Sequence, residues 1–209
     1  VTTTGSFWAT VTDANGCSGI SDTVDVIVNP NPVPTITPDG PLEFCDGDSV
    51  TLTASAGDAY LWSNGSTTQS IVVYSSGNFT VTVTDANGCM GASAPVTVVM
   101  NELPFSFIFA TGPTEFCEGD SVDLVARESA GYLWSTGDTT RIITVMTSGT
   151  YSVINIDANG CQQQSNEITV VVNPNPVVTI TPDGPLTFCD GEDVVLTAFS
   201  TPALGVTYA

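Results

Sequence analysis

The chain has 209 residues, a net charge of −20, no His, and only two cations, Arg127 and Arg141, against 22 carboxylates. That balance excludes a phosphate-neutralising nucleic-acid surface and attachment to anionic membranes, and it removes imidazole and lysine chemistry from any reaction. Hydrophobic residues make up 42 %, enough for packed cores, and no apolar run reaches the ~18 residues needed to span a bilayer.

In chain order, the first recognisable phrase is "VTDANGC" at 11–17, which returns as "VTDANGC" at 83–89 and "NIDANGC" at 155–161. Cys17, Cys89 and Cys161 are spaced by 72 residues, and so are Cys45, Cys117 and Cys189. "LWSNGSTTQSI" at 61–71 likewise matches "LWSTGDTTRII" at 133–143. A fixed period of this kind marks a tandem array. The segments read as 1–28, the C-terminal part of a repeat, then complete repeats at 29–100 and 101–172, and 173–209, the N-terminal part of another.

Each repeat reads as all β. Alternation of period two runs through "SVTLTAS", "SIVVY", "NFTVTVT" and "APVTVV", and Gly, Asn, Asp and Pro clusters punctuate it. Strands are expected at 33–37, 42–45, 49–55, 59–63, 68–74, 78–84 and 92–99, alternating in direction, with "TPDGP" reversing the chain between the first two. About seven short strands with regular turns imply a small β-sandwich whose two chain ends lie at opposite poles, so that domains string head to tail. Trp62 and Trp134 are the expected core side chains, and Phe79 and Tyr151, two residues after Gly, the aromatic corner of the penultimate strand.

Six cysteines without zinc-site spacing imply disulfides and an oxidising, extracellular setting. Strand parity puts the turns beside Cys45 and Cys89 at one pole, so Cys45–Cys89 and Cys117–Cys161 are the expected bonds, each stapling the end of its domain. Cys17 and Cys189 then pair outside this segment. The alternative set is Cys17–Cys45, Cys89–Cys117 and Cys161–Cys189, which bridges a final strand and a linker. The ragged ends carry an expectation too. Val1 aligns with Val73 and Tyr208 with Tyr60, so the segment reads as a window on a longer chain, with Trp at position 210.

The order "FCDGDSVTLTAS…YLWSNGSTTQSI…SGNFTVTVTDANGC" resembles the immunoglobulin-like, PKD-style repeats of giant surface proteins from gliding Bacteroidota. The resemblance covers essentially the whole chain. It implies type IX secretion, a cell-surface location, and a role in gliding motility or cell adhesion as adhesin, stalk or filament. The spacing departs from antibody domains, because Cys89 lies ten residues after Phe79 and not two.

Acidic residues at the expected stapled pole form a calcium candidate: Asp46 and Asp48 with Asp85 and Asn87, and in the next repeat Glu118 and Asp120 with Asp157 and Asn159. Against this, Asp and Asn commonly satisfy turn backbone. Paired carboxylates invite a glycosidase reading, but pairs repeated in every small domain do not describe a catalytic centre, and no enzyme is expected. "DTV" and "DSV" place O-glycosylation candidates at Thr23, Ser49 and Ser121. The function expected is an extracellular structural or adhesive array. Its partners would be neighbouring repeats, self-assembled filaments, or glycans and other cells. The alternative is an array of carbohydrate-binding modules, for which exposed Trp8 is the aromatic to watch. Neither nucleic-acid binding nor membrane insertion is expected.

Overall fold

A computed structural model describes residues 1–201. It is all β, with no helix among the described residues, and it divides into two compact units, Val1–Glu102 and Leu103–Ala209.

In the first unit, β1 (Gly5–Phe7), β2 (Thr10–Thr12), β3 (Ser18–Ile20) and β4 (Val24–Val26) build a long hairpin, β1 pairing with β4 and β2 with β3. Nine strands follow: β5 (Ile36–Pro38), β6 (Glu43–Cys45), β7 (Val50–Ala54), β8 (Ala59–Trp62), β9 (Ser70–Val73), β10 (Gly77–Phe79), β11 (Val81–Thr84), β12 (Met90–Ala92) and β13 (Val96–Asn101). One layer is β5-β7-β9; the other holds β8-β11-β12 and β6-β13-β10. Alternation decides what faces inward. Val50, Leu52, Ala54, Ile71 and Val73 of the first layer meet Trp62, Val81, Val83 and Val98 of the second in one buried cluster. This is an immunoglobulin-like β-sandwich.

Strand direction differs from the alternating count in two places. First, "TPDGP" does not reverse the chain. β6 turns tightly into β7 (Asp48 N–H to Cys45 O, 3.0 Å), and β5 is antiparallel to β7, so β5 and β6 run the same way. The Pro38–Pro41 step carries the chain from one sheet to the other. There β6 lies parallel to the last strand, with Cys45 opposite Asn101. Asp39 fixes the crossing: its Oδ1 accepts the Thr51 N–H at 2.8 Å, and its own N–H donates to Thr51 O at 3.0 Å.

Second, residues 63–69 are not a simple turn. They form an irregular leg that returns along the sandwich, so that β9 starts beside the end of β7 (Ala54 N–H to Gln69 O, 2.9 Å) and runs antiparallel to it. Bonds that hold the leg include Trp62 N–H to Ser66 O at 2.8 Å, the Trp62 indole N–H to Thr68 O at 2.8 Å, and Gln69 Nε2 to Ala54 O at 3.1 Å. "SNGSTTQ" has turn chemistry and no alternation, which is why it joins neither sheet as a strand.

The two differences offset each other for the chain ends but not for the cysteines. Cys45 lies at the pole where Asn101 leaves the sandwich, whereas Cys89, in the β11–β12 hairpin, has its Sγ 3.8 Å from the carbonyl of Asn29 at the opposite pole. Cys89 and Cys117 are free thiols, as are Cys17 and Cys189, while Cys45 and Cys161 are disulfide-bonded. The expected Cys45–Cys89 and Cys117–Cys161 bonds therefore do not form, because each would have to cross the length of its own sandwich. None of the alternative set forms either. The segment around Asn29 packs close beside Cys89: a Cβ on Gly91 would stand 1.8 Å from the Pro32 carbonyl oxygen, so only Gly fits there.

The second unit repeats the plan in β14 (Ile108–Ala110), β15 (Glu115–Cys117), β16 (Val122–Ala126), β17 (Gly131–Trp134), β18 (Ile142–Val145), β19 (Gly149–Tyr151), β20 (Val153–Ile156), β21 (Gln162–Gln164) and β22 (Ile168–Asn173), followed by the hairpin β23 (Val177–Pro182) and β24 (Leu196–Thr201). Its registers Ile108↔Ala126, Gly131↔Ile156 and Cys117↔Asn173 copy Ile36↔Ala54, Ala59↔Thr84 and Cys45↔Asn101. Trp134 is 2 % exposed and donates its indole N–H to Thr140 O at 2.7 Å, repeating Trp62. Tyr151 is buried and its hydroxyl donates to Thr147 O at 2.9 Å; Phe79, half-buried, packs against the first core without that bond. Tyr208, and any alignment through it, lies outside the described residues.

Replacing Trp62 by Phe removes the bond to Thr68 and opens space in the core, a loss of about 2–3 kcal/mol. Amides of residues 63–70 should then exchange about 30- to 150-fold faster in hydrogen-exchange mass spectrometry as local opening follows that loss. Unchanged protection would mean that the indole does not hold the leg.

Candidate functional site

The acidic residues picked out for calcium do not meet. Asp46 and Asp48 sit at the Asn101 pole, and Asp85 and Asn87 at the Asn29 pole, so the four oxygens are separated by the sandwich. Glu118 and Asp120 are separated from Asp157 and Asn159 in the same way. The hairpin aspartates instead bond the backbone. Asp85 Oδ1 accepts the N–H groups of Asn87 and Cys89, both at 2.9 Å; Asp157 does the same for Asn159 and Cys161, and Asp13 for Asn15 and Cys17. That bonding, with Gly16, Gly88 and Gly160 at positive φ, explains "DANG" without a ligand. Among the described residues no cluster of three or more potential metal-ligating side chains occurs.

Thr23, Ser49 and Ser121 are all exposed, Ser49 and Ser121 immediately before the strands β7 and β16. Trp8 is 63 % exposed, just beyond β1.

A different surface was not assigned from the sequence as a site: the outer face of the β14-β16-β18 sheet. Ile108, Leu124, Ala126 and Ile143 point to the core, which turns Phe107, Phe109, Val125 and Ile142 outward. Val125 is nonetheless only 8 % exposed, while Phe109 and Ile142 beside it in the register are 48 % and 50 % exposed. Both cations of the protein lie on this face. The Arg127 guanidinium stands 5.0 Å from the Phe105 ring centroid, and Arg141 donates its Nε–H to Ala126 O at 3.2 Å. Among the described residues no carboxylate pairs with either guanidinium. Phe107, Phe109, Arg127, Glu128 and Arg141 enclose an open pocket of about 480 Å³.

The corresponding face of the first complete repeat is different in kind. Position for position, Thr35, Thr37, Thr53, Ser55, Gln69 and Ser70 stand where Phe107, Phe109, Val125, Arg127, Arg141 and Ile142 stand in the second. Thr53 and Ser70 there bond each other through their hydroxyls at 2.9 Å. The strand bearing the phenylalanines is also fastened by residues that the first repeat lacks. Asn155, fully buried where the first repeat has Val83, accepts from Ser106 Oγ at 3.0 Å and donates to Arg127 O at 2.9 Å. Asn166, in place of Ala94, accepts the Ile108 N–H at 2.9 Å and donates to its carbonyl at 3.2 Å. A buried amide in a valine's place is costly unless fully bonded, and here its bonds position the phenylalanine strand and Arg127. The signal legible in sequence was the run Phe105, Phe107, Phe109, together with the confinement of both arginines to one repeat.

No family model matches the chain, and no curated protein matches it. Solved structures similar to it include the fibronectin(III)-like modules of CbhA from Clostridium thermocellum, at 14 % identity and TM-score 0.35, covering 67 % of this chain and 95 % of that one. A 1.5-MDa bacterial ice-binding adhesin matches at 17 % identity and TM-score 0.34, over 81 % of this chain and 74 % of that one. Murine CEACAM1b matches at 15 % identity and TM-score 0.34, over 66 % of this chain and 99 % of that one.

One carboxylate has a displaced titration. Hydrogen bonds from the Thr51 side chain and then its backbone hold Asp39 below the ordinary carboxylate value. A depressed folded pKa means that the contribution is present above the unfolded value of about 3.9 and is lost as pH falls through the folded one. The Asp39 side-chain carbon should therefore titrate by NMR with a midpoint below about 3.9, and a midpoint at or above it would mean that the clamp on Thr51 is not made in solution.

Proposed function

We propose that the protein is a structural or adhesive array of immunoglobulin-like domains on the outside of the cell, without catalytic activity. The observation that carries this reading is the polarity of the complete repeat: the chain arrives beside Cys89 and leaves beside Cys45, at opposite poles. A domain of that polarity joins its neighbours head to tail and spaces whatever lies beyond it. Disulfide-bonded cysteines support an oxidising compartment. The carboxylates of Asp85 and Asp157 are engaged with turn backbone, and the acidic candidates of each repeat lie at opposite poles, which supports a non-enzymatic role. No helix among the described residues is long and apolar enough to cross a membrane.

In its finer form, the reading is a stalk or filament segment of a giant surface adhesin of a gliding bacterium, exported by the type IX route. The resemblance of the repeated motifs supports that form. Partners in this reading are neighbouring repeats of the same chain and, at the cell surface, glycans or other cells.

Small-angle scattering tests the array. A compact globule of this length has a radius of gyration of about 17 Å; head-to-tail domains should give a value at least about half as large again and an elongated distance distribution. A radius near the globular value would reject the spacer reading.

A further inference from the structure

We infer that the second complete repeat carries a binding site for a carboxylate-bearing sugar of the uronic-acid type, on the outer face of β14-β16-β18. The spacer reading and this inference stand apart, since a spacer needs no ligand and scattering does not report one.

The lining sets the ligand's chemistry. Phe107 and Phe109 offer flat apolar surface to the pocket, which selects a ligand with an apolar face. Arg127 and Arg141 offer guanidinium forks that no carboxylate of the described chain occupies, which selects an anion, best a planar carboxylate held in bidentate fashion. Glu128 in the same pocket accepts hydrogen bonds, which selects a ligand that also carries hydroxyl donors. An apolar face, one carboxylate and several hydroxyls together describe an acidic sugar. An acidic peptide supplies the carboxylate but not the ring of hydroxyls that Glu128 asks for. The pocket volume of about 480 Å³ falls within the range of small-ligand sites.

Two further observations distinguish this face from ordinary surface. Both cations of a chain with net charge −20 stand at its edge, where random placement over the repeats would scatter them. The same face in the first repeat is a Thr/Ser surface, so the sandwich does not need phenylalanine or arginine there. From beneath, Asn155 joins Ser106 to the Arg127 backbone and Asn166 fastens Ile108, so the aromatic strand and one arginine are held before any ligand arrives. At physiological ionic strength the charge of the rest of the chain is screened beyond roughly 8 Å, leaving the two arginines to dominate at close range.

The test uses the whole chain at about 0.15 M salt, with trigalacturonic acid as probe and its fully methyl-esterified form as control, followed by amide NMR titration. Saturable shifts centred on Phe107, Phe109, Arg127 and Arg141 are expected, weakened at least about tenfold by esterification, with no change around Thr35 and Thr37. The double variant R127S/R141Q and the double variant F107T/F109T, which install the residues of the first repeat, should each lose at least about tenfold in affinity while keeping a dispersed spectrum. Absence of saturable binding, equal binding of the ester, undiminished binding by R127S/R141Q, or shifts centred elsewhere would overturn the assignment. Equal affinity for triglutamate would overturn it in favour of an acidic peptide.

Discussion

The hydrogen bond from the Trp62 indole to Thr68, repeated from Trp134 to Thr140, is the contact on which the rest of the domain depends. It buries the largest core side chain and at the same time ties down a segment that belongs to neither sheet. Because that segment carries the chain back along the sandwich, β9 runs with β8 and every later strand takes its direction from there. The β11–β12 hairpin, and the cysteine within it, reach the Asn29 pole through this return together with the unreversed Pro38–Pro41 step. An apolar side chain of the same size would fill the core but remove one of the bonds that hold the leg, leaving the Thr68 carbonyl without its indole donor.

On that frame the two complete repeats keep the same inside and differ outside. Val50, Leu52 and Ala54 have Val122, Leu124 and Ala126 as counterparts, and the strand registers are identical in offset. The outward positions between them change from Thr53 and Ser55 to Val125 and Arg127. Even at the point of arrival the repeats part company: Gly91, against which Pro32 packs, becomes Gln163, and Val83 becomes Asn155. A scaffold whose stability resides in its inward residues is free to vary its outer sheet, and the second repeat uses that freedom to gather aromatic and cationic side chains.

Period two made the strands legible, since Val50, Leu52 and Ala54, and Val81 and Val83, place an apolar residue at every second position, and the repeat spacing of the cysteines exposed the array. Trp62 could be placed in the core from its setting. What alternation cannot show is direction. "TPDGP" has the composition of a reversing turn, yet Asp39 uses its carboxylate to clamp Thr51 and lets Pro38 and Pro41 step the chain between sheets. "SNGSTTQ" is too polar to be read as a traverse, because its holding bonds come from Trp62 and Gln69, at its margins. The two misreadings compensate for the chain ends but leave wrong the cysteine pairing and the acidic cluster expected beside it. The candidate site was half legible. The phenylalanine run stands out, but the arginines that complete it flank two other strands, Arg127 just after β16 and Arg141 just before β18, and only the register brings them alongside.

The strand directions set the cysteines of each complete repeat at opposite poles of the sandwich, and thiol mapping reads those poles directly. Native protein alkylated before unfolding, then digested without reduction and examined by mass spectrometry, should show alkylated Cys89 and Cys117 and no peptide linking Cys45 to Cys89 or Cys117 to Cys161. Recovery of either of those links as the major species would place both cysteines of a repeat at one pole, and the strand directions described here would be wrong.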